Sequence, residues 1–233
     1  MCALLVLWDI DHTLIENHGV NKKTYALAFE LLTGQRAEHP ARTEGRTEPE
    51  IMRNMLLAHR IEPTPDYVSR FPAVLESATL STANTLREYG HELPGARDAL
   101  TALKAFPGIL QSVLSGNIRP NAIAKLSVFG LTEFIDFEIG GYGSDDDVRA
   151  NLVRVAQERA TVKHGVKFDK RNTILIGDTP RDVQAGQNGG AYVIAVASGS
   201  DSMDALRAEG ADIVLPDLRS TDALVQAVTA FRS

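Results

Sequence analysis

The sequence predicts an α/β fold with a parallel sheet, interrupted early by an all-helical segment. Three observations carry that expectation. Short apolar, β-branched runs recur along the chain without polar alternation, as strands buried on both faces do. Helical patterns separate the later runs, and strands that alternate with helices build layered α/β domains. Between residues 15 and 89 the rhythm stops, and only helical periodicity remains.

Each element follows in order. The first run, ALLVLW at 3–8, is broken at once by Asp9 and Asp11, so it reads as a strand delivering acidic residues to a sheet edge. It is too short for a membrane span and lacks the basic start of a signal peptide. Within the helical segment, Tyr25, Leu27, Ala28, Leu31 and Leu32 form one apolar stripe, and Ile51, Met52, Met55 and Leu56 another. Turn chemistry at Tyr89-Gly90 and Pro94-Gly95 marks its exit. Then come a strand at 109–114, a helix at 120–129 opened by Pro120, a helix at 147–160, strands at 173–177 and 191–197, a weaker strand at 212–215 and a helix at 221–231. The expected organisation is a core made of residues 1–14 and 90–233, with a helical domain inserted at 15–89.

Bulk properties narrow the partners. With 233 residues, 44% of them hydrophobic, the chain can bury a sizeable core. A net charge of −6 with no basic stripe argues against nucleic acid, which is held chiefly through clustered Lys and Arg. The single cysteine, Cys2, supports neither an internal disulfide nor a Cys-rich metal site; it is expected to be a small apolar residue beside the first strand. That usage fits a reducing, cytoplasmic setting.

The chemistry-bearing residues gather at the ends of expected strands, where ligands collect in parallel sheets. In LWDIDHTLI, Asp9, Asp11 and Thr13 occupy alternating positions directly after the first strand. Two neighbouring carboxylates repel, so a divalent cation is a natural partner; one can then act as nucleophile while the other handles a proton. The segment can also be read as a turn whose aspartates cap a helix. In VLSGNIRP, Ser115, Gly116 and Asn117 precede a helix and can form a neutral anion cradle with its free N–H groups, although Ser-Gly-Asn is also an ordinary turn and N-cap. In TILIGDTPRDVQAG, Gly177 and Asp178 follow a strand and Asp182 comes four residues later. Asp182 can join the same pocket or simply favour the positive end of a helix. Carboxylates converging from several strands call for a cation, and Mg²⁺ suits a few carboxylates, waters and a substrate phosphate.

With these three motifs in this order, the chain resembles the haloacid dehalogenase superfamily. Asp9, Asp11 and Thr13 match its first motif, Ser115 its second, and Gly177, Asp178 and Asp182 its fourth. The resemblance implies a Rossmann-like core, a phosphoaspartate intermediate on Asp9 and acid–base work by Asp11. It further implies Mg²⁺ held by Asp9, the Asp11 carbonyl and Asp178, with Asp182 beside them, and phosphate contacts from Thr13, Ser115, Gly116 and Asn117. The helical insertion resembles the small cap domain of the phosphoglycolate phosphatase and phosphomutase branch. Two departures stand out. His12 replaces the usual glycine of the first motif and is expected to point outward. The lysine of the third motif is missing at its usual distance: Lys163 and Lys167 lie too near Asp178, and Lys125 sits in the helix after the second motif. Arg149, in GGYGSDDDVRANL, takes that place and is expected to supply the charge that steadies nucleophile and phosphoryl group. In the cap, Arg46 of EGRTEPEIM is a candidate for a substrate carboxylate or sugar hydroxyl, or else an exposed arginine before a helix opened by Glu48-Pro49. Lys22 and Lys23 are expected on a solvated helix face.

The expected function is therefore a Mg²⁺-dependent phosphatase acting on a small organic phosphate monoester, with a phosphorylated metabolite as partner and neither nucleic acid nor membrane; monomer and dimer both stay open. A phosphomutase shares the whole motif set and is the alternative. A dehalogenase needs neither Asp11 nor Mg²⁺. A phospho-acceptor module of the receiver type would carry its aspartate on a later strand of a shorter chain, without a cap.

Overall fold

The computed structural model describes residues 3–43 and 45–231 and has a parallel sheet at its centre. Strands β1 (Leu4–Trp8), β4 (Ile109–Ser115), β5 (Gly141–Tyr142), β6 (Thr173–Gly177), β7 (Tyr192–Val196) and β8 (Ile213–Leu215) align in the order β5-β4-β1-β6-β7-β8. The intervening pair β2 (Ile15–Glu16) and β3 (His91–Glu92) forms a separate antiparallel ribbon. Cys2 lies outside the described residues.

Alternation along β1 explains the layering. Leu4, Val6 and Trp8 face one apolar cluster, shared with α4 (Ala96–Lys104), α5 (Arg119–Val128) and α9 (Thr221–Ala230). Leu5 and Leu7 face the other, built on α6 (Arg149–His164) and α7 (Pro180–Gly189). A smaller cluster joins β7 to α8 (Met203–Ala208). Because both faces of the sheet are covered, its strands read as unbroken apolar runs, which is what made them legible.

Strand order fixes where a site can form. The chain leaves β1 toward β4 and β5 on one side and later returns to β6, β7 and β8 on the other, so β1 lies at the point where the winding reverses. In the parallel register Trp8 pairs with both Val113 and Ile176, which brings the residues after β1, β4 and β6 to one edge.

Over this edge stand three helices, α1 (Val20–Thr33), α2 (Glu48–Ala58) and α3 (Pro65–Tyr89), with their own apolar centre. The α2 stripe of Ile51, Met52, Met55 and Leu56 is buried as expected. In α1 the stripe is rotated: Tyr25, Ala28, Phe29 and Leu32 are buried, whereas Leu31 is 46% exposed. Spacings of three and four select the 25/28/29/32 face, and Phe29 rather than Leu31 lies on it. The two-residue strands β2, β3 and β5 and the helices α4 and α8 had no counterpart in the expected elements, and β2 falls at the start of the segment expected to be all helical; two residues are too few to show periodicity. Among the described residues no helix is long and apolar enough to cross a membrane.

Candidate active site

Each strand end contributes one piece. Asp9, next after β1, has its backbone N–H bonded to the Ile176 carbonyl at 2.8 Å, which seats it directly beside Asp178 at the end of β6. Asp182 arrives from the first turn of α7, where Thr179 and Asp182 form a reciprocal capping box. Side-chain oxygens of Asp9, Asp178 and Asp182 all lie within 4.8 Å of one another, and all three residues are buried. Asp182 thus fills both roles open to it in the sequence: it caps α7 through one carboxylate oxygen and joins the acidic group through the other.

Arg149, the first residue of α6, answers this charge. Its Nη2 donates to Asp9 Oδ1 at 2.6 Å and to Asp182 Oδ1 at 2.5 Å. The contact is not a two-nitrogen fork, because one nitrogen serves both carboxylates. Arg149 Nε is buried with no hydrogen-bond partner, an orphaned donor at the acidic centre. Burial still dominates the electrostatics: desolvation, then the neighbouring Asp182, push the Asp9 carboxyl up to about 7 despite Arg149. Asp178 is raised for the same two reasons. If all three carboxylates ionise, Arg149 offsets one charge of three and leaves two. That residual charge and an all-oxygen donor set fit a hard divalent cation.

Asp11 belongs to a different set of contacts. Its Oδ1 accepts from Asn21 at 2.9 Å and Asn17 at 3.2 Å, and its Oδ2 from Lys125 at 2.7 Å and Asn117 at 3.1 Å. Against the desolvation that raises it, Lys125 and the amide donors hold the Asp11 carboxyl down at about 2. Of the four residues expected around the ion, three carboxylates therefore gather and the Asp11 carboxylate turns away, so any share it takes in the ion falls to its backbone carbonyl.

Thr13 departs from expectation. It is fully buried, away from the cavity, and its hydroxyl donates to Asp178 Oδ1 at 3.1 Å. The chain turns directly after Ile10, with Thr13, Leu14 and Ile15 all donating to its carbonyl, which carries Thr13 under Asp178 instead of into the opening. His12 adopts φ 65, the left-handed region that explains why glycine would be easier there. Its ring borders the cavity, is 42% exposed and meets Glu16 at 2.8 Å, so it is only partly outward.

Ser115, Gly116 and Asn117 line the cavity as expected. Ser115 Oγ accepts from Asn117 Nδ2 at 2.7 Å. The start of α5 is not an open cradle, however. Glu48 of α2 reaches across, and its carboxylate accepts from the Ile118 N–H at 2.8 Å and from Asn121. The N–H expected to greet an anion already holds an internal one. This docking is tight: Glu48 N–H donates to the Gly116 carbonyl at 2.7 Å, and a Cβ on Gly116 would sit 2.1 Å from the Arg46 carbonyl oxygen.

The cavity enclosed between cap and core has a volume of about 240 Å³. Asp9, Asp11, Arg149 and Asp178 form its floor, while Asn21, Lys22, Tyr25, Gly45 and Arg46 belong to the cap side. Lys22, expected on a solvated face, is exposed yet borders this space; Lys23 lies 5.5 Å over the Tyr89 ring. Arg46 borders the cavity with its Nε 3.1 Å from Glu50. Sequence reasoning passed over Asn17, Asn21, Asn121 and Ser200, which comes in on the loop after β7, and weighed Lys125 only as a third-motif lysine before setting it aside. One signal was available: Asn121 and Lys125 stand four residues apart on α5, and Asn117 lies four before them on the loop that leads into it.

Comparisons with known proteins bear on the family and the fold. A family model described as haloacid dehalogenase-like hydrolase matches residues 6–187. The chain is 27% identical over 229 residues to the pyrophosphatase PpaX of Halalkalibacterium halodurans, covering 91% of this chain and 94% of that one. Among solved structures it is similar to a predicted phosphatase from Clostridium acetobutylicum, with a TM-score of 0.69 at 16% identity over 99% of this chain and 100% of that one. A predicted phosphoglycolate phosphatase from Haemophilus somnus aligns with a TM-score of 0.64 at 16% identity, over 96% and 98% of the two chains. At that identity the structural likenesses speak for the fold.

Proposed function

We propose that this chain, which belongs to the haloacid dehalogenase-like hydrolases, is a Mg²⁺-dependent phosphatase that cleaves a small phosphate monoester through a phosphoaspartate on Asp9. The observation that carries this reading is the buried group of Asp9, Asp178 and Asp182 pinned by a single nitrogen of Arg149. A resident Mg²⁺, held by Asp9 and Asp178 with Asp182 beside them, would supply charge to keep Asp9 ionised and to neutralise a phosphate.

The chain's own residues carry the rest. Asp9 attacks phosphorus in line; the Asp9–phosphorus bond forms as the ester oxygen leaves, and Asp11, ionised at rest with its carboxyl held at about 2, passes to that oxygen a proton it has taken up from water as substrate binds. Asp11, ionised again, takes a proton from the water that displaces Asp9 and frees inorganic phosphate. Asn17 and Asn21 hold the Asp11 carboxylate from the cap side and Asn117 from the core. Ser115 offers its hydroxyl to a phosphate oxygen, and Arg149, which also lines the cavity, offers positive charge. Glu48, by docking the cap on α5, excludes bulk water.

One observation favours a narrower substrate class. Lys22 and Arg46 border the cavity from the cap, which suits a leaving group bearing its own anion, such as a carboxylate or a second phosphate. The test is release of inorganic phosphate, with Mg²⁺ and with EDTA, from phosphoglycolate, sugar phosphates, nucleoside monophosphates, pyridoxal phosphate and pyrophosphate. Turnover should require Mg²⁺ and disappear in Asp9→Asn with the fold intact. Appreciable turnover by Asp9→Asn would sink the nucleophile assignment, and a preference for neutral leaving groups would remove the second-anion reading.

A further inference from the structure

We propose that Lys125 is a positioning residue dedicated to Asp11, so that the site divides its positive charge between two cations, Arg149 on the nucleophile and Lys125 on its proton-handling partner. The inference rests on the phosphatase reading above and adds a residue to it. Lys125 is buried in α5, its side chain 4% exposed, and two of its three hydrogens go to Asp11 Oδ2 and Asn117 Oδ1, each at 2.7 Å. Both acceptors line the cavity. Arg149 reaches Asp9 and Asp182, and none of its hydrogen bonds goes to Asp11.

A buried lysine is costly unless paired, and this one is paired with a group whose orientation matters for chemistry. The four donors around Asp11 divide by origin. Asn17 and Asn21 belong to the chain entering the cap, while Asn117 and Lys125 belong to the core. Cap movement can release the first pair, whereas Lys125 and Asn117 stay with the sheet. Lys125 therefore supplies the fixed half of the Asp11 clamp. It also locks Asn117: with its oxygen held by Lys125, that amide must present its nitrogen to Asp11 and Ser115. Glu48 feels the same ammonium, so a purely structural role, balancing buried acids, is the competing account.

A mutant cycle separates the two accounts. Asp11→Asn, Lys125→Met and the double variant are compared with wild type, using an alkyl phosphate, whose oxygen needs a proton on leaving, and p-nitrophenyl phosphate, whose oxygen does not. If Lys125 acts through Asp11, K125M lowers kcat on the alkyl ester about 10²-fold at nearly unchanged KM. The loss on p-nitrophenyl phosphate is smaller, and K125M adds little once Asp11 is Asn. Equal losses on both substrates, or a K125M effect of undiminished size in the D11N background, would overturn the proposal. Should K125M fail to fold, Lys125→Gln takes its place; the double variant removes both buried charges together and keeps the cycle readable. Failure of the phosphatase reading itself looks different, because D9N would then stay active.

Discussion

Replacing Arg149 by Met removes the cation that, among the described residues, pairs with Asp9, and its cost can be worked from the geometry. Two hydrogen bonds, at 2.6 and 2.5 Å, run from a side chain only 10% exposed to two buried carboxylates. Breaking a buried pair typically costs about 3–5 kcal/mol. Here the carboxylates have an escape, since burial already pushes Asp9 up to about 7 with Arg149 present, and without it the group takes a proton at neutral pH. The loss should therefore depend on pH. We expect about 3 kcal/mol at pH 8 and clearly less at pH 5.5, each unit of displaced titration being worth about 1.4 kcal/mol. Urea unfolding followed by circular dichroism in metal-free buffer at the two pH values measures it. With Mg²⁺ at pH 7.5, kcat should fall about 10²–10³-fold, the usual cost of removing a donor from developing charge. Because both bonds come from Nη2, the site uses Arg149 as a point charge, and Arg149→Lys should recover much of what R149M loses. A stability loss equal at both pH values, or an R149M enzyme within a few-fold of wild type, would refute this reasoning.

Two further outcomes follow from the same site. Raised carboxyls at Asp9 and Asp178 mean that the folded, metal-free chain binds more protons than the unfolded one between the ordinary carboxylate range and about pH 7. Its stability through these groups falls as pH rises across that window, so Mg²⁺ should raise the melting temperature more at pH 8 than at pH 5.5; equal shifts in a thermal-shift series would argue against binding at this cluster. Gly116→Ala should lift the cap loop, since its Cβ would lie 2.1 Å from the Arg46 carbonyl oxygen, and we expect lower kcat/KM with faster proteolysis around residues 43–48; unchanged kinetics and cleavage would show that the loop yields freely.

Much of this protein is written locally. The apolar runs of β1, β4, β6 and β7 are buried on both faces, so composition alone marks them. Asp9 and Asp178 stand directly after such runs and Ser115 at the end of one, and parallel register carries strand ends to one edge, so the sequence alone led to the expectation that they meet. Arg149 was legible by spacing, but its use of one nitrogen for two carboxylates was not. Tertiary structure alone decided the rest. Lys125 reaches Asp11 across 114 residues, Asn121 reaches Glu48 across 73, and Thr13 turns under Asp178 across 165. The four-residue spacing of Asn117, Asn121 and Lys125 hints that they share a face, but nothing local says which carboxylate each of these residues meets. Periodicity reports which face of an element is buried; which donor a buried carboxylate meets depends on how the cap, α5 and the sheet edge close around it, and that is settled only when all three are packed together.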